Sequence, residues 1–209
     1  MLITRLVEFA HNAGLAGADP FFETKPVRWL LVIAPGGRFV QLLKLGDGPK
    51  GISYSGVPKK VGGNAGGVAT FGVDNPRFVL GYTEDPADAA KADRALEAFT
   101  ALVAMAAAQY PAEEEFQAAA AFYGSSGQLE AARAAATSNK VKDGDRIALA
   151  ASTANNIPIF DSMAGRAFWR GHRQAQEAGR TQQETVLCLS CGQERPPVLT
   201  GEKIQGLTN

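Results

Sequence analysis

Two cysteines and three consecutive glutamates are the residues of this chain best suited to chemistry. Cys188 and Cys191 have the spacing of half a zinc site, but a structural zinc ion commonly takes four ligands from two such pairs, and the sequence has no second pair. The two histidines, His11 and His172, do not stand at ligand spacing either. We therefore favour a pair of reduced cysteines near a turn, and we expect no metal and no cofactor.

The glutamates Glu113–Glu115 could serve as catalytic carboxylates, but they directly follow Pro111 at the predicted start of a helix. Acidic residues interact favourably with the positive end of the helix dipole at that position. The sequence also lacks the G-x-S-x-G and H-E-x-x-H motifs, and it offers no set of nucleophile, base and oxyanion stabiliser. We therefore predict that the protein is not an enzyme.

Gly46–Gly51 fits the pattern G-x-G-x-x-G, which binds dinucleotides when a helix follows and presents its N–H groups to the pyrophosphate. The residues that follow are ISYSGVP, which cannot begin a helix. A turn is therefore favoured over a nucleotide site.

A second glycine-rich segment, Gly62–Gly67, is followed by Val68 and Ala69 instead of the Lys-Ser/Thr that ends a phosphate-binding P-loop. Lys59 and Lys60 precede this segment, and Asn64 lies within it. A flexible loop with two lysines and an amide can bind phosphates and reach base edges. A surface loop with solvated lysines explains the same residues equally well.

Charge is distributed unevenly along the chain. The 209 residues include 21 basic and 21 acidic side chains, so the net charge is zero. Residues 25–77, however, contain eight basic and two acidic side chains, a net charge of +6, whereas residues 84–115 have a net charge of −6. A neutral protein with such an asymmetry can bind a polyanion with one face.

The chain has no apolar run of about 18 residues that would span a bilayer. Its first residues lack the apolar middle and the cleavage site of a signal peptide, so we expect a cytoplasmic protein.

The elements that would position these residues form an α+β fold, with a mostly antiparallel sheet in the first half and helices in the second. The first part, residues 1–83, is predicted to be sheet-rich, basic and DNA-contacting. The sequence predicts a helix over residues 2–13, turns at Asp19-Pro20 and Lys25-Pro26, a hairpin of Val27–Ala34 with Arg38–Leu43, a long loop over Gly46–Gly72, and a strand over Phe78–Tyr82.

The second part, residues 84–209, is rich in helix formers. Three helices are predicted between Pro86 and about Ser138, interrupted at Pro111 and at Gly124–Gly127, followed by a strand at Arg146–Ala151, a helix at Met163–Gln176 and a strand at Val186–Leu189. Trp29 and Trp169 lie in predicted regular elements and are expected to pack in the core.

Several segments, taken in order, resemble one protein family. They are Leu6–Phe9, the KPVRWLLVI of Lys25–Ile33, Val57–Lys60, Gly66–Asn75, Phe78–Gly81, Leu96–Phe99, Asp161 with Ala167–Trp169, Cys188–Gly192 and Lys203–Gly206. Each motif is weak alone, but the collinear series spans essentially the whole chain. The chain is similar to the large subunit of the type I-C CRISPR surveillance complex, Cascade.

This resemblance implies a non-catalytic, antiviral, DNA-binding subunit. Such a subunit recognises the PAM, the short motif beside the target, in duplex DNA and helps to open the duplex for pairing with the guide RNA. Its implied partners are double-stranded target DNA, the Cascade backbone subunits with the guide RNA, and a helicase-nuclease effector, and no membrane is involved.

The family's Pro-Asn pair is replaced here by Ala69 and Thr70, and its Thr in the cysteine segment by Cys191. Members of the family continue into a carboxy-terminal helical bundle, so the chain resembles one compact amino-terminal domain without that bundle. The alternative function is a protein-interaction module, a truncated subunit, inhibitor or decoy that binds the complex without reading DNA.

The basic segment coincides with the part that is similar to the family's PAM-sensing region. We expect Lys59 and Lys60 to contact phosphates, and Asn64 and Thr70 to lie near base edges. Lys50 is a further candidate DNA contact. Asn75 either supports the loop or acts as a turn residue that orders Asp74–Asn75–Pro76.

Overall fold

The computed structural model describes residues 5, 19–60, 68–151, 156–180, 186–187 and 194–195. The chain divides into a unit of Asp19–Arg170 and a second unit of Met1–Ala18 with Gly171–Asn209. The larger unit contains the strands β1 (Phe22–Val27), β2 (Trp29–Ile33), β3 (Phe39–Lys44), β4 (Ile52–Pro58), β5 (Val73–Asp74) and β6 (Ile147–Ala151). Its helices are α1 (Pro76–Leu80), a 3-10 turn at Pro86–Asp88, α2 (Ala89–Gln109), α3 (Glu114–Tyr123) and α4 (Ser126–Ser138), and α5 (Met163–Arg180) begins within it.

The central sheet has the order β3-β2-β6-β5. β2 pairs with β3 antiparallel and with β6 parallel, and β5 pairs with β6 antiparallel, so the sheet is mixed. Every residue of β2 and of β6 is buried, as expected for apolar strands covered on both faces. β1, the first strand of the unit, pairs antiparallel with β4 in a separate two-stranded sheet. These elements confirm the predicted α+β class, with strands mainly in the first half and helices in the second.

The helices cover the sheet with apolar side chains. α2 buries Phe99, Leu102, Val103 and Ala106, which recur at helical spacing on one face. A cluster of aromatic rings joins helices and loops: the ring of Phe71 lies 5.3 Å from that of Phe116 and 4.7 Å from that of Phe168, and Tyr110 packs edge-on against both Phe116 and Phe168. Both tryptophans are buried, which confirms their predicted place in the core.

The hairpin, the three helices of residues 89–138, the strand at Ile147 and the helix at Met163 are confirmed. The predicted strand at Phe78–Tyr82 is wrong, because these residues mostly belong to α1. Asn75 caps this helix, Pro76 occupies its first position, and Gly81 ends it in the left-handed conformation (φ 58°). The end of the predicted strand is wrong because Gly81 favours the end of a helix over the interior of a strand.

Two further predictions from the first half are wrong in part. The loop predicted over Gly46–Gly72 contains β4, which pairs with β1 from Phe22↔Pro58 to Val27↔Ile52. Lys25-Pro26, predicted as a turn, lies inside β1 next to a register shift between Glu23 and Lys25. Proline is tolerated at such bulged positions of a two-stranded pair.

In the smaller unit, β7 (Val186–Leu187) pairs antiparallel with β8 (Glu194–Arg195), and α5 extends to Arg180. The predicted strand at Val186 is thus confirmed for its first two residues. The predicted helix over residues 2–13, the Gly62–Gly67 segment with Asn64, and the Cys188–Cys191 pair lie outside the described residues, apart from the helical Arg5.

Candidate nucleic-acid interface

The loop that leads from α4 into β6, residues 142–146, lies between two neighbouring pockets. Its Asp145 is buried and accepts three hydrogen bonds, from Arg28 Nη1 at 3.2 Å, from Trp29 Nε1 at 2.9 Å and from the amide of Lys142 at 3.0 Å. The carbonyl of Arg146 in turn accepts from the amides of Arg28 and Trp29. These bonds join the loop to the start of β2. They thereby fix residues 144–146, which line both pockets.

The first pocket, which we call the Lys60 pocket, has a volume of about 170 Å³. Its charged and polar residues come from β1, from the segment after β4, from β5 and from the loop before β6. It is lined by Glu23, Val57, Pro58, Lys60, Thr70, Val73, Asp74, Asn75, Asp143, Gly144, Asp145 and Arg146. Two basic side chains thus face four carboxylates, so the pocket favours hydrogen-bond donors, such as base amino groups, over free phosphate.

Asp74 holds the Lys60 pocket together. Its two carboxylate oxygens lie 3.1 and 3.0 Å from Lys60 Nζ, and it also accepts hydrogen bonds from the amides of Thr70 at 3.1 Å and Asn75 at 2.8 Å. Lys60 Nζ additionally lies 4.0 Å from the ring centroid of Phe78, a cation–π contact. The Lys60 charge is therefore neutralised in this conformation.

Thr70 is buried, and its hydroxyl lies within hydrogen-bonding distance of both the Val73 carbonyl and Asp74 Oδ2. A hydroxyl has one proton to donate, so it can satisfy one of these acceptors at a time. Asn75 accepts a hydrogen bond from the amide of Arg77 at 3.2 Å and thereby caps α1. This cap agrees with a structural role for Asn75, whose support of the loop stays a prediction, as does the contact of Thr70 with bases.

The second pocket, which we call the Lys50 pocket, has a volume of about 350 Å³. It shares residues 144–146 with the Lys60 pocket, and the rest of its lining comes from β1, the residue before β2 and the 46–51 turn. It is lined by Lys25, Pro26, Arg28, Pro49, Lys50, Gly144, Asp145 and Arg146. Four cationic side chains therefore surround one carboxylate, the reverse of the balance in the Lys60 pocket.

The turn that presents Lys50 is the G-x-G-x-x-G match. Gly51 adopts φ +82° and donates from its amide to the carbonyl of Gly48 at 3.3 Å, and β4 follows directly. The predicted turn is thereby confirmed, and a strand instead of a helix follows the glycines.

An ionic cluster at the edge of the Lys60 pocket connects the basic and acidic parts of the sequence. Arg77 Nη2 lies 2.7 Å from Asp143 Oδ2 and 2.8 Å from Asp88 Oδ2. Burial favours the neutral form of Asp143, but the hydrogen bonds from Arg77, the Glu84 amide and Thr83 outweigh it and lower the pKa of this carboxyl below its ordinary value. The cluster therefore stays ionised and fixes the 142–146 loop.

Among the residues predicted from sequence, the structure brings Lys60, Thr70 and Asn75 together in one pocket and places Lys50 in the other. Lys59 directly precedes Lys60, and its amide donates to the carbonyl of Phe21 at 2.8 Å.

Sequence reasoning did not single out Lys25, Arg28, Asp145 and Arg146 as site residues. Lys25 and Arg28 lie in the basic segment, and this position could have identified them as candidate site residues. Arg146 and Asp145 join them only through the parallel pairing of β6 with β2, which the sequence pattern did not predict.

In the part of the chain that the structure describes, three or more His, Cys, Asp or Glu side chains never come together in a way that could hold a metal ion. None of the described helices is long and apolar enough to cross a membrane.

One comparison with known proteins identifies a family. Residues 6–209 match the family model described as CRISPR-associated protein (Cas_Csd1). A search among curated proteins gave no match.

Proposed function

The chain belongs to the Cas_Csd1 family, the large-subunit family of type I-C Cascade, and from this membership we propose that it recognises the PAM in duplex DNA. In this proposal the subunit binds DNA without cutting it, helps to open the duplex for guide pairing, and assists in recruiting the helicase-nuclease. Cascade large subunits are generally non-catalytic, which agrees with this role.

One observation supports the proposal most directly. Lys60, Thr70 and Asn75, selected from the sequence on either side of the glycine-rich Gly62–Gly67 segment, line one pocket. The ion pair between Lys60 and Asp74 brings the two flanks of that segment together at 3.0 Å. In this proposal Asn64, which lies within that segment, contacts base edges, Lys59 contacts a phosphate, and Lys60 gives up its ion pair with Asp74 to reach another.

The test is to assemble the chain with the type I-C backbone subunits and a guide RNA, and to titrate the complex with duplexes that have randomised flanking bases. We expect affinity to depend on the flanking bases. The double variant Lys59→Gln/Lys60→Gln should weaken binding to all flanks by about tenfold, because phosphate contacts do not depend on sequence. Arg38→Gln, an exposed basic residue of the same segment outside both pockets, is the matched control.

Normal incorporation of the double variant into the complex shows that it folds. If such a complex binds its target as tightly as the control, the assignment of Lys59 and Lys60 is wrong. If the wild-type chain enters the complex and no flank is preferred, the chain is an interaction module, and PAM recognition is excluded.

A further inference from the structure

The Lys50 pocket has a surplus of positive charge. Asp145, its one carboxylate, already accepts hydrogen bonds from Arg28, Trp29 and the Lys142 amide, and its single negative charge is paired with Arg28. Arg28 is thereby paired, but Asp145 cannot also neutralise Lys25, Lys50 and Arg146.

Two of these cations have no counter-charge of their own among the residues that the structure describes. Within the described residues, neither Lys50 nor Arg146 forms an ion pair, and Lys50 is exposed on its turn. Lys25 lies 3.3 Å from Glu23, but both side chains are about one-third exposed, and such surface pairs contribute little. An anion in this pocket would therefore gain attraction without breaking a strong native contact.

The pocket is also held in shape before any ligand binds. Asp145 fixes the Arg28 guanidinium, whose Nε is buried and has no hydrogen-bond partner among the described residues. The backbone of the 46–51 turn approaches β1 so closely that a Cβ on Gly51 would lie 2.0 Å from the Val27 carbonyl oxygen. The Arg28 guanidinium and the backbone of the turn, already fixed in place, lose little conformational entropy when the pocket binds an oxyanion.

The shape and the lining fit one ligand class. Basic side chains from three separate segments of the chain line the pocket. Pro26 and Pro49 add apolar surface without further charge. A tetrahedral phosphate can accept hydrogen bonds from several such donors at once, and an attached sugar can pack against the prolines. We propose that the Lys50 pocket binds a backbone phosphate of the DNA duplex, independently of base sequence.

This inference rests on the proposed function, because it takes the duplex as the source of the phosphate. The two pockets share Gly144, Asp145 and Arg146, so a phosphate held in the Lys50 pocket positions the duplex beside the Lys60 pocket. Phosphate contacts of this kind set the register of a protein on DNA, whereas base contacts provide specificity.

The test uses the assembled complex with Lys50→Gln alone and with Lys50→Gln/Arg146→Gln, and again with Arg38→Gln as the control. Dissociation constants are measured for duplexes with preferred and non-preferred flanks over a series of salt concentrations. We expect the double variant to raise both constants about tenfold and to lower the salt slope by about 0.9 for the lost phosphate contact. Lys50→Gln should give a smaller change in the same direction, and the ratio between flanks should stay constant.

Three results would overturn the proposal. Constants equal to those of the control would exclude the pocket as a binding site, provided that the variants enter the complex. A changed ratio between flanks with an unchanged salt slope would assign the pocket to base contacts. Loss of guide RNA from the purified complex would assign the phosphate to RNA. A wild-type complex without flank preference would instead contradict PAM recognition, and the salt slope would still report on the pocket.

Discussion

At the scale of single residues, two buried carboxylates determine which basic side chains are available to a ligand. Asp74 binds Lys60, and Asp145 binds Arg28 and Trp29. Two of the basic residues in the +6 segment are therefore paired inside the fold. The charge count overestimates the cations that this conformation offers to DNA, and part of the remaining surplus lies in the Lys50 pocket.

A single glycine fixes the turn that presents Lys50. Gly51 has φ +82°, and a Cβ there would lie 2.0 Å from the backbone oxygen of Val27, whereas a Cβ on Gly48 would meet nothing within 4 Å. We expect Gly51→Ala to lower the free energy of unfolding by roughly 2–4 kcal/mol, because both the positive φ and the backbone contact oppose a side chain. Urea unfolding of Gly51→Ala and of the matched Gly48→Ala measures the difference. Similar midpoints for the two variants would contradict it.

At the scale of elements, what could be predicted depended on how clearly each pattern begins and ends. The helices α2–α4 were predicted because helix-forming residues run between the breakers Pro86, Pro111 and Gly124. The sequence predicts a strand in place of the five-residue α1, because an apolar run as short as Phe78–Leu80 fits the repeat of a helix and of a strand equally well. Asn75-Pro76 before this run and Gly81 after it were the signals that could have identified a helix.

The site was predictable only where it is local in sequence. The flanks of the glycine-rich segment supplied Lys60, Thr70 and Asn75, since their residue types and their order were visible in the chain. Asp145 and Arg146 reach the same place through the parallel β2-β6 pairing, a long-range contact that leaves no mark on local spacing. The Ser and Gly residues of β4 similarly obscured its strand pattern.

Variants of Asn75, which caps α1, can distinguish its structural role from its proposed role in binding DNA. Asn75 Oδ1 accepts the Arg77 amide, so Asn75→Ala should lower the free energy of unfolding by about 1 kcal/mol. Asn75→Ser retains a capping oxygen and should cost only a few tenths of a kcal/mol. Thermal or urea unfolding of both variants tests the cap, and equal losses would exclude it. In the complex, the stable Asn75→Ser variant then shows whether flank preference depends on the amide itself.

At the scale of the larger unit, opposite charges from the two halves of the sequence meet around the 142–146 loop. Arg77 from the basic segment pairs with Asp88 from the acidic segment, and Lys142 pairs with Glu84 at 3.1 Å. Asp143 lies between these pairs and accepts from Arg77, Thr83 and the Glu84 amide. The loop that forms the floor of both pockets is therefore held by charge as well as by the sheet.

This arrangement predicts a specific response to acid. Burial alone would raise the pKa of Asp143, but its hydrogen bonds lower that pKa below the ordinary value of 3.8. A carboxyl with a lowered pKa in the folded state adds stability above the unfolded value, and this stability is lost as the pH falls through the folded value. The contribution of Asp143 should thus be complete at neutral pH and be lost progressively as the pH falls below about 4.

Asp143→Asn removes this titration, so we expect the variant to be less stable than wild type at neutral pH and to approach it in acid. Urea midpoints measured from about pH 7 down to about pH 3 give the comparison, with the exposed Asp47→Asn as the control. Asp19 and Asp88 also have lowered pKa values, and Asp88 shares Arg77 with Asp143, so the wild type itself loses stability over the same range. The gap between wild type and Asp143→Asn is therefore the informative quantity. A gap that stays constant with pH would show that Asp143 acts through shape and not through its charge.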